Sequence, residues 1–205
     1  MIRRLALLAL LAGSLAAPLA ARAEMTDVAG VKYENTLQLA NAKLQLNGAG
    51  VRYKAIFKVY TAGLYVGTKV STSEAVLAAT GPRRLHIVML RDIDGNELGK
   101  LFTKGMEQNT SHEEFAKVIP GIIKMGEIFA ARKRLSSGDS FSIDFVPGTG
   151  VILLVNGKVL AEPIKEPEFF NALMKIWLGK SPADAQLKDA LLGHAAAARD
   201  AFNTN

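Results

Sequence analysis

Gly50-Val51-Arg52-Tyr53-Lys54-Ala55-Ile56-Phe57-Lys58-Val59-Tyr60-Thr61-Ala62-Gly63-Leu64-Tyr65-Val66 is the most informative stretch of this 205-residue chain. Val51 to Val66 reads as one strand, because β-branched and aromatic residues dominate it. Strict alternation puts Phe57, Val59, Thr61 and Tyr65 on one face, and Ile56, Tyr60, Ala62, Leu64 and Val66 on the other. Both faces are largely apolar, which predicts a strand covered on both sides. Gly63 marks a bend or a close approach by another group. Asn47-Gly48-Ala49-Gly50, just upstream, has turn composition.

Working outward, Leu37 to Leu39 and Lys43 to Leu46 alternate apolar and polar around Asn41, the pattern of a hairpin. Ser73 to Ala79 predicts a short helix capped by Ser71, Thr72 or Ser73, and Leu85 to Leu90 a buried strand. Gly95 to Gln108 has helical spacing through Leu98, Leu101 and Phe102. The next helix is signed by Thr110 with Glu113 and Ser111 with Glu114, both of which fit a capping box. Phe115, Val118, Ile119, Ile122, Ile123 and Phe129 give it a broad apolar stripe, with Pro120 inside as an expected kink. Ser140 to Val146 and Gly150 to Val155 read as strands, and Asn156-Gly157 as a two-residue hairpin turn into Lys158 to Ala161. Helices at about Glu166 to Trp177 and Ala183 to Leu192 close the chain. Early strands, antiparallel hairpins, and helices in the middle and at the end predict an α+β domain.

The N-terminus has the three parts of a secretory signal. Arg3 and Arg4 form the positive end, Leu5 to Leu19 is nearly all Leu and Ala, and Ala21-Arg22-Ala23 sets small residues at the cleavage positions. A spanning helix takes roughly 20 apolar residues, and this run is shorter and broken by Pro18. Residues 1–23 are therefore expected to be a signal peptide cleaved near Ala23, giving a periplasmic or secreted protein with no stable membrane insertion. Residues 24–205 then form one domain, with a core of about residues 31–192 and an Ala-rich helical tail.

Arg3, Arg4 and Arg22 supply half of the chain's formal net charge of +6. The remainder is too mild to point to nucleic acid, no run of Lys and Arg alternates with aromatics, and the clusters Arg83-Arg84 and Arg132-Lys133-Arg134 read as solvated loop and helix C-terminus. There are no cysteines, so neither thiol catalysis nor a Cys-based metal site is available. His86, His112 and His194 are too scattered for a metal pair, and no Asp/Glu cluster has ligand spacing, so no metal or cofactor is expected. Gly48-Ala49-Gly50 starts like a dinucleotide loop but lacks the third glycine and leads into a strand. There is no GxxxxGK[ST] and no GxSxG, and adjacent Ser111 and His112 belong to capping, not catalysis.

The stretch from Gly50 to Val66, with an arginine after a glycine turn and then Phe57-Lys58-Val59-Tyr60-Thr61-Ala62-Gly63-Leu64-Tyr65, resembles the signature strand of chalcone isomerase-like proteins. Asn156-Gly157-Lys158-Val159-Leu160-Ala161-Glu162 is similar to the family's hairpin. Trp177-Leu178-Gly179-Lys180-Ser181-Pro182 is similar to its glycine-lysine corner, shortened. The resemblance spans about Val31 to Leu192 and implies an open-faced sandwich, an antiparallel sheet packed against a layer of helices.

In true chalcone isomerases a substrate phenolate closes onto its own enone, with no cofactor, in a cleft that holds the oxyanion and polarises the ketone. The family uses an arginine, a threonine, a tyrosine, an asparagine and a Ser/Thr. By the resemblance, Arg52 and Thr61 match the first two, whereas Leu98, Gly105 and Ile176 stand where the other three would be. Losing one preorganised donor costs ~10²–10³ in rate, so three losses imply little catalysis. The resemblance therefore implies a binder of a small apolar or amphipathic ligand with an anionic or carbonyl head, such as a fatty acid. Arg52 would hold the head and Thr61 assist. Tyr60 is a rim aromatic of the same site, and Phe102 and Met106, with Met125 and Phe129, line an apolar cleft between helices and sheet. Fatty-acid-binding relatives pair the matching arginine with a tyrosine whose counterpart the sequence alone does not place. The competing expectations are an intramolecular lyase or isomerase with Arg52 as oxyanion stabiliser, and an interaction protein whose cleft is filled by its own side chains.

Overall fold

The computed structural model describes residues 24–194. The leader read at residues 1–23 and the tail beyond His194 lie outside the described residues. Strands β1 (Met25–Val28) and β2 (Val31–Glu34) form a small hairpin, and β3 (Thr36–Leu39), β4 (Ala42–Lys54) and β5 (Phe57–Val66) follow as a meander. Helix α1 (Ser73–Ala78), capped by Thr72, leads into β6 (Arg83–Met89). The short strand β7 (Ile93–Asp94) precedes helices α2 (Gly95–Asn109) and α3 (His112–Ala130), and β8 (Arg134–Leu135) pairs back with β7. Then come β9 (Ser140–Val146), β10 (Gly150–Val155) and β11 (Lys158–Val159), and helices α4 (Phe169–Leu178) and α5 (Ala185–Leu191). The main sheet is antiparallel in the order β11-β10-β9-β6-β5-β4-β3. This is the expected α+β architecture.

Local chemistry explains most of the elements. Ser111 and Glu114 exchange side-chain and backbone bonds in a complete capping box, and α3 runs on through Pro120. Asn156 and Gly157 both have positive φ, 49° and 73°, as a tight hairpin turn requires. The helices cover one face of the sheet with a single large core. Within it Phe102 meets Phe129, Phe141 and Trp177 at ring separations of 5.5, 5.9 and 5.5 Å. The β1–β2 hairpin lies over the opposite face, where Tyr33, Leu39, Leu44, Leu46 and Tyr65 form a second cluster. The central strand is thus covered on both sides, as its composition implied.

Three readings of the sequence change. Val51 to Val66 is not one strand. It is the end of β4 and all of β5, joined by a two-residue turn at Ala55-Ile56. Ala55 takes φ 55°, a conformation alanine adopts rarely, so composition gave no sign of the turn.

Asn47-Gly48-Ala49-Gly50 is not a turn but the middle of β4. Asn47 has no partner in the β4–β5 register, which shifts by one there, and its amide instead donates to the Leu191 carbonyl at 2.7 Å and accepts from Val70 N–H at 2.8 Å. Gly48 lets α5 close on the strand, since a Cβ there would overlap the Ala190 carbonyl.

The third change concerns Arg83 and Arg84, which read as a solvated basic pair but lie in β6. Arg83 is 4% exposed, sandwiched between the rings of Phe145 and Phe170, and donates to the Val76 carbonyl. Arg84 makes a two-pronged ion pair with buried Asp144.

Candidate functional site

A cleft of about 460 Å³ opens between the β4–β5 hairpin, the start of α2 and the corner joining α4 to α5. Its size falls in the range of roughly 300–1,000 Å³ usual for small-molecule sites. The floor is Tyr60, Leu98, Phe102 and Ile176, all buried, and the rim carries Arg52, Lys54, Arg91 and Lys104 against Asp92 and Glu97.

Strand register decides which side chains reach the cleft. Arg52 is opposite Tyr60, and directly opposed residues of an antiparallel pair share a face. The Arg52 guanidinium lies 5.6 Å from the centre of the Tyr60 ring. One step further the register shifts, pairing Tyr53 with Lys58 and leaving Val59 as an extra residue on β5. That bulge re-aims the strand. It puts Phe57 on the side of Tyr60, where strict alternation had set them on opposite faces, and so Phe57, Val59 and Tyr60 all line the cleft.

Tyr60 is 5% exposed, and its hydroxyl accepts a hydrogen bond from the Trp177 indole N–H at 2.8 Å. Burial pushes its pKa up to about 12, against the opposing pull of Arg52. It therefore stays protonated and keeps its O–H to donate. No carboxylate among the described residues makes an ion pair with Arg52. The nearby Asp184 carboxylate caps α5 through Gln186 and Leu187 N–H and also accepts from Tyr53 N–H at 2.9 Å, tying the strand beside Arg52 to that helix. A guanidinium over the ring of a neutral tyrosine, lining a cleft with an apolar floor, offers a docking point for an oxyanion.

The structure brings Arg52, Tyr60 and Phe102 together. It does not bring Thr61 or Met106 with them. Thr61 is fully buried on the opposite face of the sheet, where its hydroxyl accepts a 2.8 Å hydrogen bond from Tyr33. The reason is pleat: adjacent residues of a strand point to opposite faces, so Tyr60 and Thr61 cannot share one cleft. Met106 is fully buried in the main core and does not line the cleft. Leu98, Gly105 and Ile176, set by the resemblance at lost catalytic positions, all line the cleft. Gly105 admits Ile176 closely, as a Cβ there would sit 3.1 Å from it.

The sequence reading missed Lys54, Phe57 and Arg91 on the rim; for Phe57 the reason is the slipped register, which gives no compositional signal. It also missed two supports. Trp177 orients the Tyr60 hydroxyl. Asn109 holds the α4–α5 corner by donating to the Gly105 and Ser181 carbonyls and accepting from Ser181 N–H.

Residues 25–193 match the family described as chalcone isomerase-like. The chain belongs to the chalcone isomerase-like family. No curated protein sequence gives a significant match. Among solved structures, the fold is similar to that of a fatty-acid binding protein of Arabidopsis thaliana, with a TM-score of 0.59 and 10% identity over 80% of this chain and 92% of that one. At that identity the likeness concerns the fold. In this chalcone isomerase-like chain the cleft holds Arg52, Leu98, Gly105 and Ile176 of the positions that the resemblance set as catalytic, and leaves out Thr61. Its wall is apolar at the three positions where the enzymes carry polar groups.

Proposed function

We propose that this protein binds a small apolar molecule with an anionic or carbonyl head, of the fatty-acid kind, and releases it unchanged. The observation that carries this reading is the Arg52 guanidinium, without a carboxylate partner among the described residues, set 5.6 Å from the Tyr60 ring in a cleft whose floor is hydrocarbon and aromatic. The head docks on the guanidinium and accepts from the tyrosine; the tail lies along Leu98, Phe102 and Ile176. The polar groups that would turn a chalcone over are replaced by Leu98, Gly105 and Ile176, which supports binding without catalysis. The structural likeness to a fatty-acid binding protein supports the same reading. We propose as well that residues 1–23 are a cleaved export signal and that the protein works in the periplasm or outside the cell; the three-part leader supports this.

The test is native mass spectrometry of the protein purified from cells expressing the whole chain, followed by thermal shift with saturated fatty acids. A co-purifying lipid, or a raised melting temperature, is expected. Arg52→Ala should weaken binding about 10- to 100-fold, the weight of a charged hydrogen bond. A protein that purifies empty and does not respond to fatty acids overturns the reading. Turnover of chalcone that Arg52→Ala abolishes would replace it with an isomerase.

A further inference from the structure

The tip of the β4–β5 hairpin is built unlike the rest of the surface. Ile56 is 83% exposed, the highest value among the large apolar side chains of the described residues, and neighbouring Phe57 is 50% exposed. Lys54 and Lys58 flank them in sequence, Lys54 on the cleft side of the hairpin and Lys58 on the other. Arg91 lies over the Phe57 ring at 4.4 Å, and Leu101 of α2, 40% exposed, faces the same opening. With Arg52 and Lys104 this makes an apolar point inside a basic collar. The acids close by are Asp92, which pairs with Arg134 at 3.3 Å, Glu97 in the first turn of α2, and Asp184, which caps α5 and accepts from Tyr53 N–H.

We propose that this tip docks the protein on anionic phospholipid bilayers, with Ile56 and Phe57 entering the interface and the basic collar meeting the phosphates. Charge and shape select this occupant. An apolar side chain inserted at the boundary of headgroups and acyl chains gains hydrophobic free energy, and each Lys or Arg held at an anionic surface adds about 1 kcal/mol. A stable protein partner covers roughly 800 Å² on each side, which a projecting two-residue turn does not offer. The turn itself sits on a β-bulge and a positive-φ alanine, a backbone that presents Ile56 to solvent when nothing in the core requires it there. Docking in this orientation points the cleft mouth at the bilayer, so an amphipathic ligand passes between membrane and cleft without crossing water. That last step rests on the function proposed above; the docking does not.

The experiment is co-sedimentation with vesicles of phosphatidylcholine alone and of phosphatidylcholine with 30% phosphatidylglycerol, using protein whose N-terminus is fixed by intact mass. Binding is expected only to the anionic vesicles and should weaken with salt. Ile56→Ser should lower the vesicle partition about tenfold, and Lys58→Gln about fivefold. Ile123→Ser, which removes a similarly exposed side chain from α3, should change nothing. All three variants are expected to keep the wild-type melting temperature and fatty-acid response. No binding to anionic vesicles, equal loss in Ile123→Ser, or a lipid-free dimer that Ile56→Ser dissociates would each overturn the proposal. Vesicle binding by a protein that never loads fatty acid would sink the ligand reading and leave the docking intact.

Discussion

The two faces of β5 carry the same kinds of residue and end in opposite states. On the helix side Tyr60 bonds to Trp177; on the other, Thr61 bonds to Tyr33. Both tyrosines are buried, and burial raises the pKa of each. Yet the first face opens into a cleft beside Arg52, whereas the second is sealed. Gly63 accounts for the seal: a Cβ there would come within 2.5 Å of the Tyr33 ring, so glycine lets the β1–β2 hairpin lie flat on the sheet. Beneath the hairpin three polar pairs are closed within the fold. Arg84 pairs with Asp144, His86 with Ser142 at 2.8 Å, and Tyr33 packs edge-on against His86. The contrast teaches what makes a site. A polar group satisfied inside the fold stabilises it, and one held at the edge of a cleft is left for a ligand.

The comparison predicts that damage to the sealed face costs stability and spares binding. The largest effect should come from Asp144→Ala, which strips the partner from half-buried Arg84 and should lower unfolding free energy by about 3 kcal/mol, read by urea denaturation, with fatty-acid affinity unchanged in the folded fraction. A loss of affinity equal to that of Arg52→Ala would mean the faces are not independent.

Tyr60→Phe sits where the two roles meet. It removes the acceptor of the Trp177 N–H, costing about 2 kcal/mol of stability, and also takes a donor from the ligand head. If calorimetry finds affinity unaltered, the head does not touch Tyr60 and the site rests on Arg52 alone.

The smallest effect should be a pH slope from His86. Burial first, then Arg84, hold its pKa below the ordinary 6.5, with Asp144 pulling the other way. The folded imidazole stays neutral while the unfolded one takes a proton. Its contribution is thus complete above pH 6.5 and declines as pH falls below that value. The urea midpoint should drop between about pH 7 and pH 5.5, and His86→Gln should flatten that part of the curve. An unchanged slope in the variant would assign it to other groups.

Much of this was legible in the residues because it depends on short-range chemistry. The capping box at Ser111 and Glu114, the Asn156-Gly157 turn and the alternation from Ser140 to Val146 act within a few positions, and each forms where expected. Arg52, Tyr60 and Phe102 were likewise marked as candidates, and all three meet at the cleft. The two misplaced residues have different causes: Met106 is spent in the core beneath α2, and Thr61 falls on the far side of the sheet. Thr61 was assigned by its match to a family position, but the side of a sheet on which a residue falls depends on its partner strand. The Val59 bulge and the Ala55-Ile56 turn, which bring Phe57 round to the side of Tyr60, left no compositional trace.

By itself, then, the sequence determined most of the elements and the α+β class and marked Arg52 as a candidate, since propensity, capping and amphipathic period are local properties of the chain. The tertiary structure alone decided that Tyr60, and not Thr61, stands beside that arginine. Register, bulges and the close approach of α5 at Gly48 are fixed by contacts between residues distant in sequence, and those contacts choose which polar groups are sealed and which remain open to a ligand.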